Sequence, residues 1–196
     1  SAALLARGYI NREHLSDADA QLRRDRFEIE SLLKLDARAR LDALAPIAAD
    51  GSVREGVRTK AKEGEKALKE RLRTMNQQLE ELRADVLIAV GSDGTILGQE
   101  GRKPARAGAS LGKVPLVERA LSGYLGDDVW VYDGGVYRMA ARPIVDRGQY
   151  VGALIHGQRL DATLAQRLSE RLGGVTVAFF FGDKIIASYT PTDVPG

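Results

Sequence analysis

Trp130 and Tyr132 are separated by a single residue, and Tyr137 and Met139 repeat that spacing just past the turn Asp133-Gly134-Gly135. In a β-hairpin a spacing of two places side chains on one face. With a two-residue turn at Gly134-Gly135, Tyr132 lies opposite Tyr137 and Trp130 opposite Met139, and all four share that face. A three-residue turn puts Trp130 opposite Arg138 instead, and at the level of sequence both registers are open. Tyrosine hydroxyls and the indole N–H need partners when buried. The cluster therefore either fills the core between sheet and helix or lines a pocket for a small polar ligand.

Cations lie close by in sequence. Arg138 and Arg142 share the opposite face of the same strand, and Arg119 sits on the preceding helical segment. Each is either a solvated charge or a bidentate partner for a carboxylate. His156 ends a later strand on the parity of Leu154, where it is either a structural imidazole or a ligand contact and pH sensor. The run from Gly101 to Arg106 carries Arg102, Lys103 and Arg106, as a solvated loop or an anion-steering one.

Catalytic patterns are not expected. Gly91-Ser92-Asp93-Gly94 reads as a β-turn, with neither a nucleophile elbow nor a phosphate loop anticipated elsewhere. Asp127 and Asp128 are adjacent, so in a strand their carboxylates diverge. There is no Cys, and the two histidines, His14 and His156, are far apart, which argues against a zinc site. No cofactor is expected. With a net charge of +2 and basic residues interleaved with acids, no stripe exists to engage nucleic acid. The sequence contains no apolar run of about 18 residues that would span a membrane.

These side chains need elements to hold them. Residues 1 to 84 read as a helical stalk, with one stripe at Leu33, Ala37, Leu41, Leu44 and Ala48 and a second at Leu68, Leu72, Met75, Leu79 and Leu82. Gly51 is expected to stop the first helix and Ser52 to cap the next. The second stripe has a/d spacing, as in a dimer seam or in a helix packed on its own domain. From Asp85 the period changes to two. Strand signals at 86–90, 95–97, 129–132, 136–141 and 150–156, a short helix at 114–121, a helix at 160–172 and a closing hairpin at 175–188 predict an α+β domain over residues 85 to 196. One antiparallel sheet of five or more strands is expected, with Leu72, Met75 and Leu79 buried against it.

This element order is that of a PAS-like domain. The segment from Asp85 to Gly98, DVLIAVGSDGTILG, and that from Tyr137 to Gly157, YRMAARPIVDRGQYVGALIHG, resemble the Cache family of extracytoplasmic sensor domains. The likeness covers roughly residues 85 to 190 and rests on turn and core positions. It implies a periplasmic module between two membrane helices of an inner-membrane receptor, controlling a chemoreceptor, a histidine kinase or a cyclic-dinucleotide enzyme. A start at Ser1 without Met is what a segment cut from between such helices would show. The expected function is sensing of a small organic anion, such as acetate, for a chemotaxis receptor, by a homodimer joined through its stalk, with the sensor domain of a histidine kinase as an alternative. The ligand contacts would be Trp130, Tyr132, Tyr137, Met139, Arg138, Arg119 and His156. A ligand-free interaction module is the other alternative.

Overall fold

The computed structural model describes residues 34–59, 62–101 and 108–191. Leu33, His14 and the loop cations Arg102, Lys103 and Arg106 lie outside them. Two compact units result, Asp36–Gln158 and a second that holds the described residues from Arg159 onward.

In the first unit, helix α1 (34–49) is followed by α2 (Gly51–Thr59), α3 (Lys62–Gln78) and a 3-10 turn at Glu80–Leu82. Strands β1 (Val86–Gly91) and β2 (Ile96–Gly101) precede α4 (Pro115–Leu121), and β3 (Gly126–Tyr132), β4 (Gly135–Asp146) and β5 (Gln149–Arg159) form a meander. The five strands make one antiparallel sheet in the order β2-β1-β5-β4-β3. In the second unit α5 (Ala162–Arg171) packs on the hairpin β6 (Val177–Phe181) and β7 (Lys184–Tyr189). That hairpin is a separate two-stranded sheet rather than a continuation of the first.

Strand β1 is apolar at every position because both of its faces are covered. Leu87 and Ala89 meet Leu44, Ile47, Val53, Val57, Leu68 and Leu72 of the helices, together with Ile144 and Leu154 of the sheet. Val86, Ile88 and Val90 meet Leu116, Val117 and Ala120 of α4 with Tyr137, Met139 and Ile155 on the other face. The α3 stripe is thus directed at its own sheet: Leu68 and Leu72 are buried, and Met75 and Leu79 are partly buried against the same cluster. Met75 and Leu79 fall short of the full burial expected of them: Met75 sits in the last turn of α3 and Leu79 in the turn that follows it.

The α1–α2 junction differs from the expectation at Gly51 and Ser52. Asp50 is the cap: its Oδ1 accepts from the Val53 N–H at 3.0 Å, and Gly51 is already helical. A carboxylate there satisfies a free helical N–H and complements the helix dipole. Arg71 of α3 adds a short contact, Nη2 to Oδ2 at 2.6 Å, which clamps α3 to the start of α2. Farther on, the buried Asn76 side chain accepts from the Ala84 N–H at 2.8 Å and donates to the Ala84 carbonyl at 3.0 Å. It stands in for a strand partner and fixes the entry into β1. The imidazole of His156 donates Nε2–H to the Leu82 carbonyl at 2.7 Å, tying the same connection to β5.

Two outcomes follow for stability. The Arg71 hydrogen bond holds the Asp50 carboxyl below its ordinary range, so its contribution is present above that range and is lost as pH falls through the lowered value. Asp50→Ala is expected to destabilise by about 1–2 kcal/mol at pH 7 in denaturant titration, with the deficit shrinking in acid. Burial pushes the His156 imidazole below its usual value, so the unfolded chain binds that proton more readily than the folded one. Stability from this site is complete above about pH 6.5 and declines as pH falls further. The melting temperature should therefore fall as pH drops below about 6.5, and His156→Gln should flatten that fall.

Candidate functional site

The β3–β4 hairpin turns at Asp133 and Gly134, with φ of 45° and 69°, and pairs Tyr132 with Gly135, Trp130 with Tyr137 and Asp128 with Met139. Neither anticipated register is adopted. Two consecutive left-handed residues define a type I′ turn, whose twist matches that of the strands, and Asp tolerates that conformation better than most side chains. The adopted pairing is displaced by an even number of positions from the Gly134-Gly135 register. A displacement of two leaves every side chain on the same face. Trp130, Tyr132, Tyr137 and Met139 do share one face.

On this face Tyr137 and Met139 are fully buried, while Trp130 and Tyr132 are partly buried and pack at the edge of the cluster. The Tyr132 and Tyr137 rings meet edge to face, with centroids 6.2 Å apart and planes at 84°. The Tyr132 hydroxyl donates to Gln99 Oε1 at 3.1 Å. Gln99, on β2 opposite Ile88, has no signal in the sequence: a single Gln in a strand carries no pattern. Gly157 lets β5 approach, because a Cβ there would sit 2.7 Å from Met139 Sδ and 2.5 Å from Val86 Cγ1. The indole Nε1 of Trp130 is shielded from solvent with no hydrogen-bond partner among the described residues. A buried donor left unpaired is unfavourable, and an acceptor brought by a ligand would satisfy it.

Arg119 is exposed on α4. A Cβ at Gly126 of β3 would lie 3.6 Å from its Nη2, so the guanidinium stands at the start of β3, on the same strand face as Trp130 but four residues before it. Arg138 and His156 are elsewhere. Arg138 pairs with Val129 on the helix-facing side, where its Nη1 donates to Asp36 Oδ2 at 2.9 Å. It does meet a carboxylate, but one supplied by α1. His156 pairs with Leu87, also toward the helices, and points away from the aromatic face. Arg142 donates to the Leu41 carbonyl at 3.0 Å from that same side.

A Gly-x-Ser-x-Gly pattern does occur, contrary to the sequence expectation, at Gly108-Ala109-Ser110-Leu111-Gly112. It forms no nucleophile elbow. Ser110 bridges Thr95, its Oγ donates to the Asp93 carbonyl at 3.4 Å, and Gly112 N–H donates back to that Oγ at 3.2 Å. The strained strand-to-helix turn that exposes a catalytic serine is not what holds it. Among the described residues no group of three or more His, Cys, Asp or Glu side chains is placed to hold a metal. What this face offers chemically is a row of rings and a thioether with one N–H donor that has no partner among the described residues, and a cation farther along the same strand face.

No protein-family model matches the chain, and no curated protein matches it either. Solved structures do. The sensor domain of the Vibrio cholerae histidine kinase DctB is 16% identical with a TM-score of 0.60, covering 72% of this chain and 55% of its own. The periplasmic domain of Vibrio cholerae LuxQ is 16% identical, TM-score 0.63, with 86% and 78% covered. The ligand-binding domain of the Campylobacter jejuni chemoreceptor Tlp3, solved with 4-methylisoleucine, is 11% identical, TM-score 0.58, with 92% and 74% covered. At these identities the likeness is one of fold: the chain has the PAS-like α+β fold that these sensor domains share.

Proposed function

We propose that this chain is an extracytoplasmic ligand-sensing module, and that a small organic anion, a short carboxylate such as acetate, binds on the aromatic face of β3 and β4. The observation that carries the reading is the solvent-shielded Trp130 N–H, without a partner among the described residues, on a strand face that also holds Arg119 at Gly126. Tyr137 and Met139 form the floor, with Tyr132 held by Gln99 as the side wall. A carboxylate offers an acceptor to the indole and charge to the guanidinium. The fold agrees, since the similar domains come from receptors, one of them solved with a small molecule. Output to a chemoreceptor is our reading. A histidine kinase is the rival, since both receptor types carry the fold, and the output domain of the full-length receptor decides between them. Full burial of Tyr137 and Met139 is also what a ligand-free core would show, which makes an interaction module the second reading.

A thermal-shift screen of carboxylates, amino acids and amines separates these. At a hundredfold excess over Kd a ligand stabilises by about 2.7 kcal/mol, a rise of several degrees. Carboxylates should produce it. Stabilisation by amines alone contradicts the anion reading, and silence across the screen favours the ligand-free module. Trp130→Phe keeps an aromatic ring and removes the N–H. It should weaken carboxylate binding by about 1.5–2.7 kcal/mol, roughly ten- to a hundredfold, in calorimetry. Unchanged affinity in a folded Phe variant would take that N–H out of the site.

A further inference from the structure

Strand β4 presents Tyr137 and Met139 to one side and Arg138 and Arg142 to the other. On the far side lies a polar cluster that ligand binding does not use. Arg40 of α1 is fully buried, a placement rare for arginine. Its Nε donates to Asp36 Oδ2 at 3.2 Å and its Nη1 to the main-chain oxygen of Arg138 at 3.0 Å. Arg138 donates to the same Asp36 oxygen, and Arg142 donates to the Leu41 carbonyl. Asp127 of β3 supplies a second carboxylate whose charge acts on both guanidiniums. Residues 36 to 41 of α1 are thus bound to residues 138 to 142 of β4 through charged groups largely shut off from water.

An apolar interface would hold α1 there at least as firmly. Buried ion pairs are weak sources of stability, and burial together with the charge of Arg40 pulls the Arg138 guanidinium down to about 10. What the charges provide is register. If α1 slides along the strand, Arg40 loses the Arg138 carbonyl and Asp36 loses Arg138, leaving buried charges unpaired. The charged end of the helix is therefore held in one register on β4, and any other seat must find these groups new partners. The Arg138 carbonyl belongs to the residue between Tyr137 and Met139, so a shift of that backbone reaches Arg40 directly.

We propose that the Asp36–Arg40–Arg138 cluster is a coupling latch through which occupation of the aromatic face of β4 sets the seat of α1. The proposal rests on the ligand-sensing reading for its physiological input, but the coupling itself is testable without a ligand.

Hydrogen exchange read by mass spectrometry over residues 36–49 of the whole chain decides it, with the β1 peptide 86–91 as control for an intact sheet. Tyr137→Leu disturbs the aromatic face. In the native background it should raise α1 exchange roughly tenfold or more. In an Arg40→Lys background, which keeps the charge but cannot bridge Asp36 and the Arg138 carbonyl together, the further increase should be under about twofold. Asp36→Asn is the second latch variant if Arg40→Lys disturbs β1. Additive changes in both backgrounds, or α1 exchange indifferent to Tyr137→Leu, overturn the latch. A parallel arm adds acetate at about 50 mM. Altered α1 exchange in the native chain that Arg40→Lys abolishes, with acetate affinity retained, supports coupling. Acetate bound with α1 unaffected overturns it. Acetate failing to bind removes acetate from the proposed ligands, and the Tyr137→Leu arm then decides the latch by itself.

Discussion

The twofold period of β4 is the constraint on which the rest of this structure depends. Successive side chains leave a strand on opposite faces, so one run, Tyr137-Arg138-Met139-Ala140-Ala141-Arg142, must serve two surroundings at once. Toward α4 it contributes rings and a thioether to an apolar cluster. Toward α1 it contributes guanidiniums to a buried polar one. A one-residue slip of the hairpin would bring Arg138 into the aromatic cluster and expel Tyr137 from it. The type I′ turn at Asp133-Gly134 prevents that slip.

The helix-facing side of the sheet is held by two kinds of contact. Around β1 the contacts are apolar and non-directional, which tolerates small adjustments, and Leu44 and Ile47 of α1 belong to them. At residues 36 to 41 of α1 the contacts to β4 are charged, directional and shielded, so movement there leaves charges unpaired unless each finds a new partner. The proposed sensing role calls for both: a core that persists while a site fills, and an element whose position has discrete alternatives. The clamp of Asp50 on Arg71 and the bonds of Asn76 to Ala84 belong to the first kind of demand, since they brace α2 and α3 against the same sheet face.

Much of this is legible in the sequence because it depends on local period. The alternation of Trp130, Tyr132, Tyr137 and Met139 places them on one face whichever even displacement the turn selects, and the uniform apolar run at 86–90 announces a strand covered on both sides. The a/d spacing of Leu68 and Leu72 identifies the buried stripe of α3 without showing what buries it. What is not legible depends on distant partners. Asp36 and Arg138 are 102 residues apart, and each alone reads as an ordinary surface charge. Gln99 becomes part of the aromatic face only once β2 is aligned beside β1. Asn76 carries no pattern until the chain turns back to Ala84. The turn position escapes the sequence because Gly135 invites a positive φ that Asp133 in fact adopts.

The central claim, that the β3–β4 aromatic face is where a ligand sits, has a reporter built into the chain, for Trp130 is its single tryptophan. Titrating a stabilising carboxylate while following intrinsic tryptophan emission tests it most directly. A ligand that bonds the indole N–H changes the surroundings of the ring and must give a saturable change in emission, with a midpoint equal to the calorimetric Kd. A carboxylate that binds by calorimetry yet leaves the emission of Trp130 unaltered to saturation would place the site elsewhere and contradict the claim.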